Sequence, residues 1–332
     1  MHPLLRATAE RQLGVFTATD ARRAGHEAHE IRTLCESGAW LRLRRGVYIS
    51  ADDFARAEQA GRRHRIECLA VLLRLGRPEA AVSSVSAARL WGLPVRRNLP
   101  MTVRLTDPGL WRRGRSFHMA QAPLPSSDVT MTGPLRITAV PRTLVDCARE
   151  WELDDAVVAM DFALLAERTT AGELADAAAA VRHWRGATTA SRAVSLADGR
   201  AESPLESRGR LRLLGAGLPP SDLQVEIRTA GRLVGVVDAW FEEAAVAVEF
   251  DGQVKYRNPW RGRTPAEVLW EEKRREDELR SFDIRVVRVA DHDVDRGWHQ
   301  VERRLRSLLA SPGPTLRRFT ATARSSGRLH AA

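Results

Sequence analysis

The residues best placed to do chemistry lie in the last third of the 332-residue chain. The run Ala245-Ala-Val-Ala-Val-Glu249-Phe-Asp251 is apolar until its end. A strand of this composition is expected to be covered on both sides, and its two-residue period puts Glu249 and Asp251 on one face with Val248 and Phe250 on the other. A neighbouring apolar run, Leu-Val-Gly-Val-Val, ends on Asp238 and brings in a third acid. Carboxylates so crowded are tolerated with a divalent cation or with an unusual protonation state. A magnesium or manganese ion held by Asp238, Glu249 and Asp251 is the economical solution. Such an ion holds a phosphodiester oxygen, lowers the pKa of an attacking water and stabilises the leaving oxygen.

Glu206 stands at the start of a helix opened by Ser203 as cap and Pro204 in the first turn, where the missing N–H costs nothing. Of 52 basic residues only Lys255 and Lys273 are lysines, and both fall close to the acids. Either could orient a water or stabilise a pentavalent phosphorus. The plainer alternatives are a surface position for Lys255 and an ion pair of Lys273 with Glu276 or Asp277 along one helix.

These residues need elements to position them. After the helix that holds Glu206, strands are expected at 222–229, 233–240 and 245–251, joined by the short turns Ala230-Gly231 and Glu242-Glu243 into an antiparallel meander. A helix at 265–281, a strand at 284–289 and a helix to about 309 complete the order αβββαβα. At the other end of the chain, a helix over 1–13 precedes Gly14. Thr17-Ala-Thr-Asp20 has capping-box spacing for a short helix that Gly25 ends. A third helix spans His26–Ser37, and Trp40–Ile49 alternates apolar and basic residues about Arg45-Gly46, as a hairpin does. Three helices and a basic hairpin make a winged helix-turn-helix. His26 and His29 are spaced i, i+3, unlike the histidines of zinc proteases, and fit a solvated helix face.

The N-terminal pattern of helix, Gly, helix, helix and Gly-x-Trp-x-Arg-Leu-x-Arg-Gly-Val-Tyr resembles the AbiEi-type antitoxins of type IV toxin–antitoxin systems. The resemblance implies that the His26–Ser37 helix, with Arg32, enters the major groove while Arg42, Arg44 and Arg45 on the wing meet phosphates. Ser86–Pro94 and Thr138–Asp146 resemble the domain that follows the winged helix in such proteins. Glu206, Val-Val-Asp238, Val-Glu249-Phe-Asp251-Gly252 with Lys255, Glu272–Leu279 and Val-Val-Arg288 follow the order found in the Vsr-like branch of PD-(D/E)XK endonucleases. That resemblance implies metal ligation by Asp238 and Glu249, a further acid in Asp251, support from Glu206, and DNA contacts from Lys273 and Arg275. The general E-x-K pattern has lysine where this chain has Asp251; Lys255 stands where Vsr-like relatives often carry histidine.

The expected fold is therefore α+β and multidomain: a winged helix over 1–60, a mixed α/β middle domain over 61–200, a restriction-endonuclease-like αβββαβ core over 201–310, and a disordered basic tail over 311–332. The formal charge is +10 and is unevenly spread. Residues 61–120 hold twelve arginines against three acids, 303–332 hold seven against none, and 1–60 are nearly neutral. Such blocks favour a polyanionic partner. No apolar run reaches the ~18 residues of a membrane span, the charged start does not read as a secretory signal, and a cytoplasmic, membrane-free setting is expected. Cys35, Cys68 and Cys147 are too scattered for a disulfide framework. No Walker loop, dinucleotide turn or nucleophile elbow calls for a small-molecule cofactor beyond the metal.

Two functions fit. One is a magnesium-dependent DNA endonuclease of defence or repair, placed on DNA by its winged helix. The other is a non-catalytic DNA-binding regulator of the antitoxin kind, with a toxin or other protein as second partner. Winged helices also dock proteins, and an RNA substrate fits the same charge.

Overall fold

The computed structural model describes residues 1–96, 98–252 and 265–327. The chain divides into two compact units, Met1–Trp151 with Gly172–Ser191, and Glu152–Ala171 with Arg192–Ala332. The described residues form a mixed α/β protein with three sheets, of three, five and six strands.

The first unit begins with α1 (Pro3–Arg11), β1 (Val15–Thr17), α2 (Ala18–Arg23), α3 (Ala28–Glu36), β2 (Trp40–Arg44) and β3 (Val47–Ser50). The capping box forms as its spacing predicts: the Asp20 amide donates to Thr17 Oγ1 at 3.1 Å and the Thr17 amide donates to the Asp20 carboxylate at 2.8 Å. Gly46 takes φ +76° at the tip of the β2–β3 hairpin, a conformation that favours glycine. Strand β1 joins this wing as a third strand, in the order β1-β3-β2.

The unit continues through α4 (Ala51–Gln59), α5 (Arg63–Leu75), β4 (Ala81–Val82), α6 (Ser84–Leu90), β5 (Val103–Asp107), β6 (Arg112–Arg113), β7 (Phe117–Gln121), β8 (Val129–Thr132), β9 (Leu135–Thr138) and α7 (Val140–Ala148). The larger of its cores spans the wing and the bigger sheet. Val15, Val47 and Ile49 of the wing pack in the same cluster as Ile66 and Leu69 of α5 and Leu105, Met119 and Ile137 of the larger sheet. A boundary drawn at residue 60 passes through that shared core. Residues 86–94 and 138–146 meet each other, as the Trp91 indole N–H donates to the Thr138 carbonyl at 2.9 Å.

Helix α8 (Leu153–Leu165) belongs to the second unit, α9 (Ala171–Ala180) and the start of α10 (Ala187–Leu196) to the first, and the second unit then continues through α11 (Pro204–Gly215), β10 (Asp222–Thr229), β11 (Arg232–Phe241), β12 (Val246–Asp251), α12 (Pro265–Arg280), β13 (Arg285–Ala290), α13 (Trp298–Leu309) and β14 (Thr320–Ala323). The expected order of helix, three strands, helix, strand and helix is present. β10, β11 and β12 are antiparallel neighbours, and β12 pairs with β13 in parallel. Ala230 and Gly231 both have positive φ, the twist a two-residue hairpin needs. Val246, Val248 and Phe250 face one core with Leu205 of α11 and Leu305 of α13; Ala247 faces another with Leu279 of α12.

The tail differs from expectation. Residues 320–323 form β14 and pair antiparallel with β10, giving the sheet order β13-β12-β11-β10-β14. Two local features overcome the polar, basic composition. Phe319 is buried against Trp240, with ring centroids 5.9 Å apart, and Thr320-Ala-Thr-Ala323 has the alternation of a strand.

Candidate DNA-contacting surface and carboxylate cluster

In the first unit, helix α3 turns Ile31 inward and leaves His29, Arg32, Thr33 and Glu36 exposed. Trp40 anchors the wing beneath it, edge-on to Phe16 at 4.7 Å and to His26 at 5.1 Å. On the wing, Arg42 and Arg45 are exposed, whereas Arg44 is half-buried and donates to its neighbour's carbonyl, Leu43, at 2.8 Å. Arg32, Arg42 and Arg45 are therefore open to solvent, and Arg44 is partly committed to the fold. His26 faces Glu30 at 3.5 Å and His29 faces Glu27 at 3.4 Å, so each histidine has its own carboxylate neighbour.

In the second unit, the three acids expected to hold the ion, Asp238, Glu249 and Asp251, line one small pocket with Arg275 and Arg288, and Asp238 also lines a second pocket with Glu206 and Gln224. On one side is Glu206, 8% exposed, whose carboxylate accepts from the Glu202 amide at 2.8 Å and from Gln224 Nε2 at 2.9 Å. Gln224 also reaches Asp238 Oδ1 at 3.5 Å, and the other Asp238 oxygen accepts the Phe250 amide at 2.7 Å. Burial first, and the Asp238 carboxylate second, push the Glu206 carboxyl up to about 8. At neutral pH this group holds its proton, which is how two adjacent acids are accommodated without a counter-ion.

On the other side, Glu249 and Asp251 meet guanidinium groups. Arg275 of α12 donates to Glu249 Oε1 at 3.0 Å. Arg288, opposite Glu249 in the parallel register of β12 and β13, lies 3.8 Å from Glu249 Oε2 and 3.7 Å from Asp251 Oδ2, and it pairs with Glu276 at 2.8 Å. Among the described residues no three acidic, histidine or cysteine side chains come together as a metal cage. Of the expected magnesium or manganese set, Asp238 gives one oxygen to a backbone amide, and Glu249 and Asp251 are faced by arginines. In this arrangement the residues do not fit the ion.

Arg275, expected on DNA, is engaged by Glu249, while Lys273 is exposed on α12. Lys255 lies outside the described residues. Gln224, which links Glu206 to Asp238, escaped the sequence reading, and Arg288, which faces both Glu249 and Asp251, was named in the order of motifs without a role. A lone glutamine inside the apolar run Leu223-Gln-Val, and an arginine on the strand that pairs with the acidic one, were the available signals.

The N-terminal helices and three-stranded wing are consistent with a winged helix. Residues 3–51 match the family model described as "Transcriptional regulator, AbiEi antitoxin". The chain is also 29% identical over 211 residues to the uncharacterized proteins Rv2248 and MT2308 of two Mycobacterium tuberculosis strains, an overlap of 64% of this chain and 74% of each of theirs. A crystal structure of the Rv2827c protein from M. tuberculosis superposes with a TM-score of 0.38 and 15% identity over 62% of this chain and 78% of the other. Among the described residues no helix is long and apolar enough to cross a membrane.

Proposed function

We propose that this chain is a DNA-binding transcriptional regulator of the AbiEi antitoxin type, acting through its N-terminal winged helix and paired with a toxin or other protein partner. One observation carries the reading: the 3–51 match coincides with the capped helices and wing that leave Arg32, Arg42 and Arg45 exposed. Arg32 on α3 would meet base edges, and the wing arginines would fix register on the backbone. The test is a gel-shift and footprint with the DNA upstream of the chain's own coding region, against a scrambled duplex. A protected segment that is lost in Arg32→Ala, with the protein still folded, supports the reading; equal affinity for both duplexes overturns it.

A second reading, a magnesium-dependent endonuclease, is favoured by the density of acid around Asp238. For it to hold, Arg275 must leave Glu249, and residues outside those described, Lys255 among them, must complete the site. Supercoiled plasmid with Mg²⁺ or Mn²⁺, an EDTA control and Asp238→Ala tests it. Nicking that needs both metal and Asp238 supports this reading, and intact plasmid rejects it.

A further inference from the structure

The large sheet of the first unit ends in a feature that the winged helix does not explain. Its edge strand β6 carries Arg112 and Arg113, both exposed, and a tight turn holding exposed Arg115 leads into β7; the Gly114 amide closes that turn on the Phe117 carbonyl at 3.0 Å. Arg113 pairs across the ladder with His118, and His118 pairs with Arg104 of β5. Directly opposed residues share a face, so Arg113, His118 and Arg104 form a basic stripe across three strands. Trp111, two residues from Arg113, falls on that same face and touches the His118 ring edge-on at 6.2 Å. Glu150 marks the far end of the stripe, where it pairs with Arg104 at 2.6 Å. Burial first, then Arg104 and Arg113, lower the His118 pKa from its ordinary value, so the charge of the stripe rests on its arginines.

Charge on an edge strand often serves only to discourage pairing with another chain. That would account for the arginines but not for Trp111, which is 59% exposed beside them and adds apolar surface where a guarded edge should have none. Exposed arginines contact the sugar–phosphate backbone without reading sequence, and an exposed aromatic beside them adds apolar surface to the same contact. Among the described residues no carboxylate forms an ion pair with Arg112, Arg113 or Arg115, so their charge is available to an outside anion.

We infer that the β6–β7 hairpin is a second DNA-contacting element, with Arg113 and Arg115 on phosphates of a duplex and Trp111 against the adjoining sugars. This rests on the DNA-binding reading above and extends it to a part of the first unit that the 3–51 match does not cover. The element carries no base-reading group of its own, so its contribution is expected to be the same for any sequence.

The test uses the full chain and fluorescence anisotropy on the upstream duplex and its scrambled counterpart, from low to moderate salt. Arg113→Ala with Arg115→Ala should weaken binding to both duplexes by ~10-fold or more and flatten the dependence of log affinity on log salt by about two, at ~0.9 for each phosphate no longer neutralised. Arg113→Lys with Arg115→Lys should keep most of the slope, and Trp111→Ala should cost a few-fold with the slope unchanged. All three alter exposed side chains, and an unchanged melting temperature verifies the fold. Wild-type binding with the same affinity and slope in the double alanine variant overturns this inference alone. Failure of the wild-type chain to bind either duplex overturns the regulator reading and this inference together.

Discussion

Arg142 shows how much of this protein's charge is internal. It is 4% exposed, donates to Asp146 at 2.9 Å, to Asp128 at 2.5 Å and to the Pro123 carbonyl at 3.1 Å, and stacks on Trp184 at 4.9 Å. Removing one partner of a buried pair leaves the others uncompensated, at a cost of roughly 3–5 kcal/mol. Arg142→Ala should therefore lower the denaturation midpoint sharply, and Arg142→Lys should recover little, because an ammonium cannot reproduce the planar fork. Glu206 makes a different prediction. Its folded-state pKa of about 8 lies above the ordinary glutamate value, so between about pH 4.5 and 8 the folded chain binds more protons than the unfolded one. Stability must fall as pH rises through that window, by an amount on the order of a few kcal/mol. Glu206→Gln mimics the protonated acid: its melting temperature should match wild type near pH 5 and exceed it near pH 8. The acids themselves were legible in the sequence, since Glu249 interrupts an apolar run. Their partners were not, because Glu249 and Arg288 meet only through a parallel strand register that no local spacing encodes.

At the scale of elements, the second unit was the easier to read. Long apolar strands bounded by short turns leave little freedom, and the order from α11 to α13 follows from periodicity. Short elements were harder: β1 has only three residues, and its pairing with β3 depends on tertiary contact. Helix α5 shows the same limit, because its buried residues His64, Ile66, Cys68, Leu69, Ala70 and Val71 do not leave one clean polar face. Packing between elements also has a tight point that sequence alone does not reveal. A Cβ added to Gly209 of α11 would stand 2.0 Å from the ring of Phe250 on β12. Gly209→Ala should thus destabilise the second unit by about 1–3 kcal/mol despite the better helix propensity of alanine. Pairing it with Phe250→Leu should recover part of the loss in a double-mutant cycle followed by urea unfolding.

For the molecule as a whole, the excess positive charge is gathered into blocks, with twelve arginines against three acids in residues 61–120. A nucleic-acid complex held by such blocks releases counter-ions, so affinity should drop steeply with salt; where 6–10 phosphates are neutralised, the fall is ~10³–10⁵-fold between 50 and 200 mM. Titration at several salt concentrations measures this, and a flat profile would remove electrostatics from the account. Compactness was less legible than charge. The composition of residues 1–60 and 61–120 differs, which suggests a boundary, yet Val15, Val47 and Ile49 share one core with Ile66 and Leu69. Composition records what solvent and partners meet, whereas the limits of a folding unit are set by which apolar faces find one another.

The last strand of the five-stranded sheet carries a practical consequence. β14 covers the outer edge of β10 through four residues, Thr320–Ala323, anchored by Phe319. A protease cut or premature stop just before Phe319 would strip this cover and leave a row of amides and carbonyls without their ladder. Such a clipped protein should accept the same short segment from a neighbouring copy or from an added peptide, so its preparations would be expected to run as mixed oligomers until the missing strand is supplied in trans.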